Sequence, residues 1–414
     1  MQAMQGRVRH WGARAVGATL VGLLAVTAAA AQTATVQARD GQRAAVREVL
    51  IADPQQPALV TAADGAARKV ALDQLIAIEW PPRATRSDPA AMTLHLHDGS
   101  RLVGRVVGGD EEAVQFEFAG AVTAAFPLDS VRAVAAGPRH AELELARFAP
   151  AAHEDALHRR VEVGGDSTRG TVVALRKDGV AFEYSLGVGD FKWEDVEIVL
   201  LAEQVEPPPV KGLAVEIDLV PDGTLLAGLL RLDADTLVVR SELAEGEFRL
   251  PRAAVSGLRF AHGGATWVST LPPADVRELP WLGGADDFLF GWRRDRSVTG
   301  RPLLVGGRRF GRGIGCHARS ELTFALDGAA RWFTAEVGIA DEVLTLPDRG
   351  AVEFRVLLDG REAWKSVVVR GGDPAVALPA IELGDARRLT LLVDFGSGED
   401  VADRAVWGNA LLLR

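Results

Sequence analysis

Sulfur and phenolic side chains are scarce in this 414-residue chain, which holds one cysteine, three methionines and one tyrosine. The single thiol, Cys316, excludes an intramolecular disulfide, a cysteine-cluster zinc site and an iron–sulfur centre. Basic side chains are in deficit too, with 46 Lys and Arg against 56 Asp and Glu and a net charge of −10. A chain of that sign lacks the basic stripe that phosphate backbones require, so no nucleic acid is expected as a partner. No Gly-x-x-x-x-Gly-Lys-Ser/Thr phosphate loop and no Gly-x-Ser-x-Gly elbow occur, and the stretch from Gly311 breaks the dinucleotide fingerprint by placing Cys316 at its third glycine. The acids are plentiful, but nothing in the sequence pairs two of them as glycoside hydrolysis requires. Catalysis is therefore not expected.

What the chain does contain is ordinary globular material, 48% hydrophobic and 25% charged. At roughly 100–200 residues per domain its length predicts two to four units. Arg7, Arg9 and Arg14 precede an apolar run from Val16 to Ala31 that closes on small residues. A basic start, a short apolar stretch and a small-x-small exit define a signal peptide, here 1–31, and the run is too short to span a bilayer. No other segment is long and apolar enough for a transmembrane helix, so no membrane span is expected after cleavage. The expected location is secreted, periplasmic or cell-envelope.

From Thr35 to Phe260 the chain repeats one theme four times, at 33–82, 90–137, 161–203 and 213–262. Units open on an alternating strand and a turn, as in Leu94-His-Leu-His-Asp98-Gly99 and Val215-Glu-Ile-Asp-Leu-Val-Pro-Asp222-Gly223, with a variant at Val161 to Asp166. Alternation marks a half-buried strand, and Asp-Gly supplies the positive φ of a tight turn. They close alike as well: Leu72-Asp-Gln-Leu75 is echoed by Leu128-Asp-Ser-Val131, Trp193-Glu-Asp-Val196 and Leu250-Pro-Arg-Ala-Ala-Val255. Five short strands in about 45–50 residues suit small, strongly bent barrels. The pattern resembles the Sm-like and SH3-like small barrels, read here as spacers or interaction modules stacked on one another. A linker at 138–160 carries two expected helical turns from Glu142 to Phe148, and Pro207-Pro208-Pro209 forms a second connector.

After Gly264 the character changes. Six of the nine tryptophans fall in this last part, among strand-like runs punctuated by Gly and Asp turns, which predicts an antiparallel β-sandwich. Ordered stretches carry a specific likeness: Leu279-Pro-Trp281, Gly291-Trp292, Gly313-Ile-Gly-Cys-His317-Ala318-Arg319, Phe333-Thr-Ala-Glu-Val-Gly338, Asp359-Gly360, Trp364 and Asp403-Arg-Ala-Val-Trp407-Gly-Asn409-Ala410. Residues 267–414 resemble the NPCBM carbohydrate-binding modules, also found on glycoside hydrolases of family 98. The resemblance implies an all-β, galactose-binding-like jelly roll and non-catalytic recognition of glycans, including galactose-containing ones. This chain has Arg404, Val406 and Asn409 where that family has His and two Asp, which removes two carboxylates from the segment.

Sugar recognition needs an apolar ring face and a few fixed polar groups. The candidate contacts are Trp292 in an Arg-rich loop, His317 and Arg319 after a Gly-rich approach, and Glu342 in an acidic turn. Asp341 beside it is a candidate oxygen ligand for a structural calcium ion, the one cofactor considered. Trp281, Trp332, Trp364 and Trp407 are read as core. The expected partner is a glycan or cell-surface polysaccharide. Two alternatives are an adhesive envelope protein that uses the module for protein contacts and a divergent glycoside hydrolase.

Overall fold

A computed structural model describes residues 34–39, 42–81, 88, 90–136, 153–160, 166–202, 206–261, 265–282 and 290–414. The expected signal peptide, the Asp40-Gly41 turn and the expected helical turns at Glu142 to Phe148 lie outside them. Regular structure among the described residues is strand with short 3-10 turns, and the all-β reading holds.

The first unit runs through strands Ala34–Ala38, Arg43–Leu50, Ala58–Ala62, Ala67–Val70 and Leu75–Glu79. Its first strand bonds to both the second and the fifth, and the others follow as a meander, so the order is fifth, first, second, third, fourth. The other three units repeat this pairing. The repeated closing turn is a 3-10 turn in three of them, Leu72–Gln74, Leu128–Ser130 and Arg252–Ala254. In the third unit the opening strand is Asp155–Arg159 rather than the stretch from Val161, so part of the expected linker is strand, and Asp166 already begins the second strand. Only Ala156 and Leu157 of that opening strand are buried, too short an apolar signal to register as alternation.

Every second strand carries a register shift, between Val46 and Glu48, Val106 and Gly108, Val172 and Ala174, and Leu229 and Arg231. A bulge bends its strand and deepens its twist, which lets one strand wrap around a small barrel. Two residues ahead of the bulge, a Cβ on Gly104 would lie 1.8 Å from the Glu117 carbonyl oxygen, and one on Gly170 would lie 1.9 Å from that of Glu183. Glycine there permits the close approach that the bend demands.

The units join in a nested order. The closing strand of the first pairs with that of the fourth, Ile78 opposite Leu258, and the closing strand of the second pairs with that of the third, Val134 opposite Val199. A short ladder at Gly223–Leu102 links the fourth unit to the second, where Phe248 meets Phe118 edge-on with ring centroids 5.8 Å apart. The result is one continuous twenty-stranded sheet over a single large core.

Residues 265–414 form a two-layer sandwich of a seven-stranded and a six-stranded sheet with its own core. Trp407 sits at its centre, fully buried and edge-on to Phe354 at 5.2 Å. Trp332 and Trp364 are half-buried. Trp281, expected in the core, is 47% exposed, because it follows the strand Asp275–Glu278 out into the loops at one end of the sandwich.

Because a methyl group at Gly104 or Gly170 would strike the neighbouring strand's backbone, Gly104→Ala and Gly170→Ala should each destabilise the protein by about 1–3 kcal/mol, as overpacking does. Urea titration followed by tryptophan fluorescence measures this, and Gly99→Ala, where a Cβ meets nothing within 4 Å, is the control for a positive-φ turn glycine.

Candidate functional site

Loops at one end of the sandwich enclose a hollow of about 490 Å³. His317 enters it from the end of the strand Gly313–His317, and Arg404 from the start of Arg404–Leu413. Phe290, Leu346, Asp348 and Asp400 complete the principal walls. The His317 imidazole stacks on the Phe290 ring, with centroids 5.2 Å apart and planes 20° from parallel, and its Nδ1 lies 3.0 Å from the Ala318 carbonyl oxygen. Burial holds the His317 pKa below the usual histidine value, so the ring is neutral near pH 7. The Arg404 guanidinium lies 5.3 Å from the Phe290 ring centre and pairs with Glu342 at 3.4 Å.

The carboxylates of the hollow are fastened to backbone. Asp400 accepts the Trp281 N–H at 2.8 Å and Asp348 accepts the Gly350 N–H at 3.2 Å. Such anchoring fixes an acceptor in place, which suits it to receive hydroxyl hydrogens. Behind them, Asp403 is fully buried and accepts the Ala351 N–H at 2.7 Å through one oxygen, while its other oxygen is buried with no hydrogen-bond partner among the described residues. Burial, with like charge from Asp400 and Asp348 working against that hydrogen bond, pushes the Asp403 pKa up to about 7. Around the rim, Leu279, Trp281, Leu282 and Val401 expose apolar surface, and Trp281 stands edge-on to Phe395 at 5.0 Å.

Of the residues expected from the sequence, His317 lines this hollow and four do not. Trp292 packs half-buried against the sandwich core, with its backbone N–H given to Glu278 and Arg294 over its ring. Arg319 lies along the outer face of the six-stranded sheet, paired with Glu321 at 2.7 Å and 3.8 Å from Asp394. Glu342 is 95% buried at the side chain and accepts from Ser297 and Thr299 besides pairing with Arg404, so it braces a loop instead of facing a ligand. Asp341, the expected calcium ligand, accepts the Gly306 and Gly307 N–H groups through its two oxygens, each at 2.7 Å, and so pins a hairpin turn. Among the described residues no three His, Cys, Asp or Glu side chains gather as a metal site. Sequence reasoning missed Phe290, Asp348, Asp400 and the rim placement of Trp281. Trp281 follows Pro280 and Phe290 precedes Gly291, signals that read equally well as core, and Asp348 and Asp400 read as ordinary turn acids.

The NPCBM/NEW2 domain family matches residues 272–413. An alpha-1,3-galactosidase B of Akkermansia muciniphila is 34% identical over 106 residues, which are 25% of this chain and 13% of that protein. A Renibacterium salmoninarum protein provisionally named an endo-alpha-N-acetylgalactosaminidase is 28% identical over 162 residues, 36% of this chain and 10% of that one. The chain thus spans about a tenth of the length of the curated relatives it matches. Among solved structures, a CBM51 module from Clostridium perfringens GH95 in complex with methyl-galactose is 24% identical, with 36% of this chain and 99% of that one covered and a TM-score of 0.31. The tandem CBM51 modules of a Streptococcus pneumoniae family 98 glycoside hydrolase are 14% identical over 92% of this chain and 87% of theirs, at a TM-score of 0.32.

Since folding raises the Asp403 pKa above its unfolded value, the unfolded chain releases this proton first, and the group costs stability progressively as pH rises from about 4 to about 7. Asp403→Asn, which keeps an acceptor for Ala351, should remove that slope. Melting temperatures of the two proteins between pH 4 and pH 8 should converge at the acid end and separate toward neutrality in favour of Asn.

Proposed function

We propose that residues 265–414 bind a neutral glycan by one terminal sugar residue in the loop-end hollow. The observation that carries this reading is the composition of that hollow: a stacked ring pair, backbone-fastened carboxylates, one guanidinium and an apolar rim in one concavity. A pyranose offers an apolar C–H face and a periphery of hydroxyls, and the walls supply a counterpart to each. The family match at 272–413 and the methyl-galactose complex of a similar module support galactose as the first sugar to test. The neutral state of His317 supports hydrogen bonding to an uncharged ligand.

The reading is non-catalytic. Asp348 and Asp400 each accept a backbone N–H, a task that suits fixed acceptors of hydroxyl hydrogens. The Arg-led apolar start supports export, so the ligand is a glycan outside the cytoplasm.

Calorimetric titration of the full chain with galactose and N-acetylgalactosamine, preceded by a glycan array, tests the sugar assignment. Asp400→Ala and His317→Ala should each weaken binding by about tenfold or more, the worth of a hydrogen bond to a charged or buried partner. Trp292→Ala and Arg319→Ala should leave affinity within about twofold, because neither faces the hollow. The absence of binding to any arrayed glycan, or equal losses at Arg319 and Asp400, would overturn the assignment. Export has a separate check: the protein recovered from outside the cell should begin at Gln32, and an intact Met1 would refute it.

A further inference from the structure

Between the sandwich and the barrel array lies a contact built on alternating charge. Arg43 and Glu79 come from the first barrel unit, Arg308 and Glu336 from the sandwich. Each guanidinium bonds to both carboxylates, so the four side chains close a ring. Asn409 crosses it, donating through Nδ2 to Glu79 at 2.6 Å and to Glu336 at 3.4 Å. Arg308 opens a strap, Arg308-Arg309-Phe310-Gly311-Arg312, whose other two arginines reach the fourth unit. Arg309 bonds to Asp222, which Arg101 of the second unit also holds, and to the Pro221 carbonyl oxygen at 2.8 Å. Arg312 bonds to Glu216 at 2.6 Å. Between them Gly311 lies so close that a Cβ there would come within 2.3 Å of Asp218 Oδ1 and 2.6 Å of Arg259 Nη1. Beside the charges, Ile76 of the first unit packs with Leu411 and Leu413 of the last strand, all three fully buried.

Two physical consequences follow. A buried carboxylate that loses one arginine partner is left partly uncompensated, and such loss is far more costly than loss of a surface pair. Glu336 has 5% of its side chain exposed and draws Arg43 from the other body, so separation would cost it that partner and leave it Arg308 and water. Separation would also wet Ile76, Leu411 and Leu413. The strand Arg404–Leu413 is itself shaped by this contact. Ala405 and Trp407 point into the sandwich core before Asn409, and Ala410 and Leu412 after it, so the alternation shifts at Asn409, whose φ is +48°. The shift frees Leu411 and Leu413 to face the first barrel unit.

We propose that the face of the sandwich formed by residues 308–312, Glu336 and Asn409 is a permanent docking surface whose occupant is the first and fourth barrel units of the same chain. The sandwich and the array then form one rigid body. The array is a fixed mount that aims the loop-end hollow in one direction, and not a spacer from which a module swings on a tether. The same strand carries Asn409 in the interface and Arg404 at the hollow, five residues apart. The seven-stranded sheet face is consequently closed to ligands, which leaves the loop end for recognition.

The connection from Ala261 to Ala265 is short enough that the tether alone would keep even a poor contact populated, so the decisive experiment removes the tether. A protease recognition sequence replaces residues 262–264 in the full chain, the folded protein is cut, and the products are run on a sizing column at micromolar concentration. Co-elution of the two pieces at the position of the uncut chain is expected, in 0.5 M salt as well, because buried pairs are weakly screened. Separation of the wild-type pieces would overturn the proposal. Asn409→Asp places a third carboxylate against Glu79 and Glu336, and Glu79→Gln takes one charge from the barrel side. Each should leave the uncut chain folded by circular dichroism yet weaken reassociation of the cut pieces at least tenfold. If both variants reassociate as tightly as the wild type, the ring is not what holds the surfaces together.

Discussion

Two arginines and two glutamates alternating around one largely buried point fix how the sandwich sits on the first barrel unit. Burial by itself would raise the Glu79 pKa; Arg43 and Arg308, helped by the Asn409 amide, instead hold it below the usual carboxylate value. Burying such a ring contributes little net stability compared with apolar residues of the same shape, but it is intolerant of misplacement. An apolar interface between two β-rich bodies can slide; a ring in which each guanidinium must find two carboxylates cannot. The fourth unit repeats the logic where Arg259, fully enclosed, bonds to both Glu216 and Asp218.

The same constraint gives meaning to three residues of the last strand. Val406 faces away from the core of the sandwich and is covered by Leu303, Val305 and Phe310, where a carboxylate would have no partner. Asn409 donates to two carboxylates and so stands where an acid would repel both. Arg404 turns to the hollow, held by Glu342. One strand is thus divided between the interface and the loop-end hollow, and each of the three side chains matches the charge of its surroundings.

Nesting of the barrel units follows from hydrogen-bond accounting. Each closing strand leaves one backbone edge unpaired after its own barrel is complete, and an open edge invites association. Pairing the first unit's edge with the fourth's, and the second's with the third's, satisfies all four. It also brings the two ends of the array together, which places the first and fourth units side by side beneath the sandwich. A linear stack of neighbours would leave the outer edges bare and offer the sandwich only the fourth unit.

Local pattern carried the strands. Alternating apolar residues with Asp-Gly turns mark the barrel units, because one face of each strand is buried whatever the units do next, and the ordered Gly, Trp and His stretches mark the sandwich. That Trp292 and Arg319 lie away from the hollow is not legible in the sequence for a related reason: one-dimensional spacing does not tell which rim or face a side chain reaches. The hollow at Phe290, Asp348, Asp400 and Arg404 draws on segments more than a hundred residues apart, and the ring joins Arg43 to Glu336 across nearly three hundred. Amino-acid order therefore determined which segments become strands, since that depends on near neighbours and solvent. Only the folded packing of one body against the other decided which charges meet, since a guanidinium is specific for no carboxylate until distance and burial select one.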